Sequence, residues 1–152
     1  FSQRLQKETS LKVNLAVNNQ SIESGYVYIS PGDKHLKVDP KTYRLILDDG
    51  PKENFVRPAA DPLFRSIAEA FGKYSVGVVL TGLGRDGTQG CVLISSVKGS
   101  ILVQDPDTAV APSMPNTLIS SGINYRKVPL NEMAKAISES VFPLAASLKQ
   151  KR

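Results

Sequence analysis

The sequence predicts an α/β fold in which a doubly wound, mostly parallel sheet carries helices on both faces, with a β-hairpin in the first half. Up to residue 58, apolar residues alternate with polar ones at the period-2 spacing of strands. From Ala60 to Val141 the apolar spacing becomes three to four and helix-like segments alternate with strand-like ones. Residues 76–80 form a continuous apolar run that is typical of a strand covered on both faces.

The first 58 residues are predicted to contain two strands and a hairpin. Residues at every second position predict the first strand: Leu11, Val13, Leu15 and Val17. The second strand is Tyr26–Ile29, which is rich in strand formers and is followed by a turn at residues 31–32. His35–Val38 and residues 43–47 flank a proline-containing turn at residues 39–41, so this segment is predicted to be a hairpin. A polar loop then leads to the first long helix.

The helical half is predicted to begin at residue 60. Asp61 is placed to cap the helix, Pro62 fits its first position, and Gly72 ends it. Its apolar residues are expected on one face: Leu63, Phe64, Ile67, Ala68 and Phe71. The later elements are expected as a helix over residues 88–98 ending at Gly99, a strand at Ser100–Gln104, a helix within 114–121 stopping at Gly122, a strand at 125–128, and a helix from about Asn131 that carries Met133, Ile137 and Val141 toward Phe142.

Length and composition limit the class of protein to which this chain can belong. The chain has 152 residues, 41% of them hydrophobic, which is enough for one core. Residues 1–152 are predicted to be part of one domain, with strands over 1–58, alternating elements over 59–142 and a basic tail over 143–152. The chain opens at Phe1 rather than at a methionine, so the domain is expected to be truncated at its N-terminus.

Charge and apolar patterning argue against two kinds of partner. The net charge is +5, but the basic residues are scattered or gathered in the tail, which favours a solvated surface and no nucleic-acid partner. No apolar run approaches the ~20 residues that span a bilayer, so membrane insertion is not expected. Cys91 is the only cysteine, which suits a reducing compartment such as the cytoplasm. It is expected to be a small buried residue rather than a reactive thiol.

Residues 80–90, LTGLGRDGTQG, are the most informative stretch of the sequence. They lie between a predicted buried strand and a helix, and ligands of parallel sheets bind at the carboxyl ends of the strands. Asp86 supplies a carboxylate just before the helix N-terminus, in a loop whose glycines expose backbone donors. From the spacing alone, Asp86 is either a functional acid or a helix cap.

The same glycines also fit a dinucleotide-binding fingerprint. Gly82, Gly84 and Gly87 have the required spacing, and Asp105 falls near the expected position at the end of the next strand. Three observations weaken this alternative. A long extended region precedes the loop, too few residues follow it for a full dinucleotide fold, and Asp86 would repel a pyrophosphate.

Other candidate groups are sparse. His35, the only histidine, is interpreted as structural or exposed in preference to catalytic. No Gly-x-Ser-x-Gly elbow occurs, and one histidine with one distant cysteine cannot form a metal centre, so neither a cofactor nor a metal is predicted.

The loop at 80–90 resembles the signature of CheB-type protein-glutamate methylesterases, and four further blocks resemble that family in the same order. They are YVYISPGDKHL at 26–36, RP at 57–58 with DPLFRS at 61–66, VQDP at 103–106 and SMP at 113–115. The resemblance runs from Phe1 to about Val141. Two residues depart from the family pattern: Leu83 stands where methionine is usual, a swap of similar volume, and Ser113 where glycine is usual.

The resemblance implies a doubly wound domain that hydrolyses glutamyl methyl esters, and in many members deamidates glutamines, on chemoreceptors through a Ser-His-Asp triad. It implies that Asp86 is the triad aspartate and that Gly82, Leu83, Gly84 and Met114 line the site. The family's serine and histidine fall upstream of this chain, so the chain alone is expected to be inactive.

The implied partner is a methylated chemoreceptor, with a receiver domain or a fused methyltransferase as further parts of the parent protein. A binding module of the same fold without catalysis remains the alternative from another class.

Overall fold

The computed structural model describes residues 2–149, in which strands dominate the first half and helices alternate with strands in the second half, as the sequence predicts. The helices are α1 (Ser2–Lys7), α2 (Ala60–Phe71), α3 (Thr88–Ser96), α4 (Ser113–Ile119) and α5 (Met133–Lys149). The strands are β1 (Lys12–Leu15), β2 (Tyr26–Ile29), β3 (His35–Val38), β4 (Leu45–Asp48), β5 (Val76–Val79), β6 (Ser100–Gln104) and β7 (Arg126–Val128). The predicted α/β class with a hairpin in the first half is confirmed.

The first half contains two small sheets. β1 pairs in parallel with β2, and Val13 lies opposite Val27. β3 and β4 form the predicted antiparallel hairpin, with His35 opposite Asp48. The first strand is shorter than predicted, and its expected apolar stripe is buried only at Val13, whereas Leu11, Leu15 and Val17 are exposed. Period-2 spacing fixes which side chains share a face, but burial depends on what packs against that face.

The second half contains a parallel sheet in the order β5-β6-β7. Successive residues of β6 point to opposite faces, and both faces are buried. On one face, Ile101 and Val103 pack among residues of α2, α3 and α4. On the other face, Leu102 packs against Met133 and Ala136 at the start of α5. The prediction of helices on both faces of a parallel sheet is therefore confirmed.

Helix α2 lies between the hairpin and the parallel sheet. Its apolar residues lie on one broad side of the helix, as predicted, but they pack against two surfaces. Leu63, Ile67 and Phe71 pack against the hairpin, whereas Phe64 and Ala68 face the core beside α3. The apolar stripe is wide enough for its two edges to meet different partners.

The start of α2 also differs from the prediction. The N-cap residue is Ala59, which provides no side-chain cap, and Pro62 is the third helical residue rather than the first. Asp61 lies inside the helix, where its carboxylate accepts a hydrogen bond from the Gly90 amide at 2.8 Å. The predicted end is confirmed, because Gly72 follows the helix with a φ of 53°.

Two helix ends in the second half of the chain differ from expectation. Helix α3 was expected to run to residue 98 but ends at Ser96, and Lys98 then takes the left-handed conformation with a φ of 64°. Gly99 is required for space, since a Cβ there would lie 2.9 Å from the Ser75 carbonyl oxygen. Helix α5 continues past Phe142 and contains Pro143, so residues up to Lys149 of the expected basic tail are helical. The rest of that tail, residues 150–152, lies outside the described residues. Val141 and Phe142 are exposed rather than packed.

Candidate active site

The loop that follows β5 lies at the carboxyl edge of the parallel sheet, where such folds bind ligands. Its first part is bonded to the segment before and within α4. The Gly82 amide donates to the Ala111 carbonyl at 2.9 Å, and the Met114 amide donates to the Gly82 carbonyl at 3.0 Å. The Ser113 hydroxyl binds Gly84, donating to its carbonyl at 3.0 Å. Ser113, one of the two departures from the family pattern, therefore fastens this loop.

The four residues predicted to line the site divide into two kinds. Gly82 and Met114 are in close contact, because a Cβ on Gly82 would lie 2.3 Å from the Met114 sulfur. Gly84 adopts a φ of 87°, which favours glycine. Leu83 is 83% exposed and projects from the loop. Gly82 and Met114 therefore pack together, and Leu83 is an exposed apolar side chain on the same loop.

The second part of the loop carries Asp86, whose carboxylate is held by four donors. Its Oδ1 accepts from the Asn54 side chain at 3.0 Å, the Gly87 amide at 3.0 Å and the Asp61 amide at 3.2 Å. Among the described residues, its Oδ2 accepts from the Ala60 amide alone, at 2.6 Å. A carboxylate oxygen can accept at least two hydrogen bonds, as Oδ1 does here, so Oδ2 keeps capacity for one more donor.

The alternative that Asp86 caps a helix is correct in one sense and wrong in another. Asp86 does not cap α3, the helix that follows it, because the N-cap residue there is Gly87 with no side-chain bond. Asp86 instead accepts from the first two amides of α2, a helix that precedes it in sequence. The first amides of a helix have no hydrogen-bond partner within the helix, and together with the helix dipole they favour a negative charge there. The carboxylate is therefore fixed across the fold.

Asn54 and Asp61 belong to the same cluster, although the sequence did not indicate a role for Asn54. The Asn54 amide donates to Asp61 at 2.8 Å as well as to Asp86, and its oxygen accepts from Arg85 Nε at 3.3 Å. Asp61 is only 2% exposed. Asn54 lies in a loop that the sequence marks only as polar, and its partners are distant in sequence, so no local pattern reveals it.

His35 is buried and bonded on both sides of its ring. Its Nδ1 accepts from the Ala59 amide at 3.2 Å, and its Nε2 lies 2.9 Å from the Pro51 carbonyl. Because a carbonyl only accepts, the proton belongs on Nε2. With both nitrogens engaged, His35 has the structural role that the sequence favoured, fastening the loop before α2.

Cys91 is fully buried on α3, as expected from the sequence. Burial, reinforced by the negative charge of Asp61, raises the pKa of the Cys91 thiol to about 12. The thiolate is the nucleophilic form, so this cysteine is inert near neutral pH.

The dinucleotide alternative does not fit the observed contacts. The amide of Gly87, a donor that a pyrophosphate would need, is bonded to the Asp86 carboxylate. The acidic residue of the fingerprint, Asp105, accepts from the Asp107 amide at 3.2 Å and lies 3.4 Å from Lys127 Nζ. It therefore has local structural partners.

Among residues 2–149, no three His, Cys, Asp or Glu side chains lie together as metal ligands would. None of the helices there is long and apolar enough to cross a membrane.

Fold and loop together define a class: an α/β domain with a glycine-rich, acid-bearing loop at the carboxyl edge of a parallel sheet. The family model described as CheB methylesterase matches residues 1–137, and the chain belongs to this family.

Three curated relatives are named protein-glutamate methylesterase/protein-glutamine glutaminase. The protein of Maricaulis maris is 38% identical over 139 residues, which cover 90% of this chain and 35% of that protein. Those of Nocardioides sp. and Pyrococcus horikoshii are 41% and 36% identical over 90% and 93% of this chain, and 38% and 39% of their own lengths. The chain thus spans well under half of each relative.

A solved structure, the Thermotoga maritima CheB methylesterase catalytic domain, matches with a TM-score of 0.85 and 32% sequence identity. The match covers 91% of this chain and 74% of that chain.

Proposed function

We propose that this chain is the acid-bearing part of a protein-glutamate methylesterase and that Asp86 orients the catalytic histidine. The observation that carries the proposal is the asymmetry of the Asp86 carboxylate. Three donors hold Oδ1, whereas Oδ2 accepts from a single donor of residues 2–149, the Ala60 amide, and keeps capacity for an imidazole N–H. Membership of the CheB methylesterase family supports the reaction class.

The proposed mechanism follows the logic of a serine triad. A serine hydroxyl attacks the glutamyl ester carbonyl and passes its proton to a histidine, which then protonates the departing methoxide to give methanol. Water hydrolyses the acyl-enzyme by the same proton transfers in reverse. The Asp86 carboxylate would fix the histidine tautomer and stabilise the imidazolium. We propose that residues preceding Phe1 in the complete protein supply the serine and histidine, so the chain alone is inactive.

The proposed substrates are methylated chemoreceptors. The relatives' names also include a glutaminase, and glutamine deamidation replaces methanol with ammonia as the leaving group in the same acyl-transfer scheme. A receiver domain or a methyltransferase in the complete protein and a cytoplasmic location are part of this proposal. Around Asp86, Gly82, Gly84 and Met114 would shape the wall of the site, and Leu83 its rim.

The test is Asp86→Asn in the complete protein, assayed by methanol release from a methylated receptor. Loss of the orienting carboxylate is expected to lower kcat by about four orders of magnitude, as it does in triad enzymes. Asp107→Asn is the matched control, because Asp107 is an exposed aspartate outside the cluster. A loss below about tenfold in folded Asp86→Asn would leave Asp86 with its helix-capping role alone, whereas no methanol release by the unsubstituted complete protein would favour the non-catalytic binding module.

A further inference from the structure

The Asn54 side-chain amide is shared between two carboxylates. Its nitrogen has two N–H groups, one directed to Asp61 Oδ2 at 2.8 Å and the other to Asp86 Oδ1 at 3.0 Å. Its oxygen accepts from Arg85 Nε at 3.3 Å. Only this orientation of the amide fits, because carboxylates accept and a guanidinium donates. Both N–H groups and the oxygen of Asn54 are therefore engaged within this cluster.

Asp61 makes this bridge rigid. It is buried, and its second oxygen accepts from the Gly90 amide inside α3 at 2.8 Å. Asp61 itself belongs to the first turn of α2. Asn54 therefore ties Asp86 to a point that two packed helices fix. Without this amide, Asp61 Oδ2 and Asp86 Oδ1 would lose the donor that they share, and two neighbouring like charges repel.

The backbone around Asn54 is a tight turn held in an unfavourable conformation. Glu53 and Val56 exchange backbone hydrogen bonds of 3.0 and 3.2 Å, and Asn54 and Phe55 have φ values of 50° and 68°. Asn tolerates positive φ, whereas a bulky residue there is an outlier. Phe55 is 93% exposed, so its own packing does not repay this strain. The Glu53 carboxylate accepts from Arg65 at 2.5 Å and anchors the turn to α2.

We propose that Asn54 is the positioning residue for the Asp86 carboxylate, a role that rests on the function proposed above. By occupying Oδ1 together with two backbone amides, Asn54 sets the rotation of the carboxylate and directs Oδ2 toward the incoming histidine. Asn54 touches neither substrate nor histidine in this scheme. It acts through Asp86.

Two substitutions in the complete protein separate this role from a role in shaping the turn. Asn54→Gly removes the amide and adopts positive φ freely. Asn54→Asp keeps the size and the turn preference of asparagine but replaces two donors with acceptors facing Asp61 and Asp86. Both are expected to lower kcat by about ten- to a hundredfold, because small displacements of a catalytic group cost that much. KM should stay within about twofold, since substrate binding is untouched.

The pH profile provides a readout that a turn-shaping role would not change. In Asn54→Asp, the introduced carboxyl can donate only when protonated, among the charges of Asp61, Asp86, Arg85 and the Arg65–Glu53 pair. The ratio of its kcat to that of the unsubstituted protein should therefore rise as pH falls. Rates are measured at a temperature at which each variant remains folded at every pH used.

The outcomes distinguish this inference from the proposed function. If Asn54→Gly and Asn54→Asp both keep kcat within about twofold while Asp86→Asn loses about four orders of magnitude, the inference is overturned and the function stands. A pH-independent loss in Asn54→Asp, equal to that of Asn54→Gly, would also overturn it. If Asp86→Asn itself retains its rate, both proposals fail.

Discussion

Gly90 of α3 lies close to Phe64 of α2: a Cβ added to Gly90 would lie 2.3 Å from the Phe64 Cβ. The same approach brings the Gly90 amide within 2.8 Å of the Asp61 carboxylate. Because Asp61 and Asp86 share the Asn54 amide, this helix contact also fixes the position of the candidate catalytic acid.

The first prediction concerns Gly90→Ala. Helix propensity alone would make alanine stabilising by about 1 kcal/mol inside α3. The clash opposes this gain, because the Phe64 Cβ is attached directly to the α2 backbone and cannot swing away. We expect a net loss of about 1–3 kcal/mol in the free energy of unfolding, measured by urea denaturation.

Gly82→Ala is the matched control for Gly90→Ala. Its added methyl would also lie 2.3 Å from another atom, but that atom is the sulfur of Met114, near the end of a flexible side chain. Methionine can adopt other rotamers, so the loss should be smaller than for Gly90→Ala. Equal losses at the two positions would contradict the role assigned to the helix contact.

The second prediction is that Asp86→Asn lowers stability as well as activity. An asparagine has one acceptor oxygen, and an oxygen placed to satisfy the three donors at Oδ1 leaves its NH₂ facing the Ala60 amide. The Ala60 amide is half-buried, so leaving it without an acceptor should cost up to about 1–3 kcal/mol.

Thermal and urea unfolding measure this effect, and Asp107→Asn should stay within about 0.5 kcal/mol of the parent. If Asp86→Asn unfolds at the same urea concentration as the parent, the contacts made by Oδ2 contribute little.

How much the sequence predicts depends on whether the cause is local. β2 and β6 occupy the residues predicted for them, because compact runs of strand formers determine those elements. The burial of Leu15 was predicted wrongly, since a period-2 pattern cannot say what covers a strand. Helix α5 was predicted to end near Phe142, but it continues through Pro143 to Lys149.

The same distinction between local and long-range causes applies to the candidate site. Local motifs in the sequence contain Asp86, Gly82, Gly84 and Met114, and the roles of these residues remain proposals. Asn54 lies in no recognisable motif. Its contacts are with Asp61 and Asp86, 7 and 32 residues away, and these residues meet only in the folded chain. Asp61 was recognised as a helix-start residue, but its contact with Gly90 depends on how α2 crosses α3.

The third prediction follows from the raised pKa of Cys91, about 12 in the folded chain against about 8.5 for a free thiol. Between these values the folded state binds the thiol proton and the unfolded state does not. The stabilising contribution is therefore complete below about pH 8.5 and is lost as pH rises toward 12.

The measurement is the unfolding free energy of the parent and of Cys91→Ala from pH 8 to 10. The parent curve should fall more steeply, by up to about 1.4 kcal/mol per pH unit. Cys91→Ala also leaves a small cavity, so its curve starts lower, and only the difference in slope is diagnostic. Parallel curves would mean that the thiol titrates normally in the folded state.

The fourth prediction is that Phe55→Gly stabilises the protein. Phe55 has a φ of 68° and is almost fully exposed, so its side chain contributes strain without burial. Holding a non-glycine residue in this region costs of order 1–3 kcal/mol. Glycine removes that strain but adds about 0.5–1 kcal/mol of unfolded-state entropy, so a net gain of about 0.5–1 kcal/mol is expected.

Phe55→Ala separates strain from the loss of an aromatic ring. Alanine removes the ring but keeps a Cβ at the same positive φ, so it should give no gain in the free energy of unfolding. If glycine and alanine change stability equally, the effect comes from the exposed ring, and the turn is not strained at this residue. If glycine alone raises the melting temperature, the strain is real. The chain then tolerates an unfavourable backbone conformation at Phe55, next to Asn54, whose side chain bridges Asp61 and Asp86.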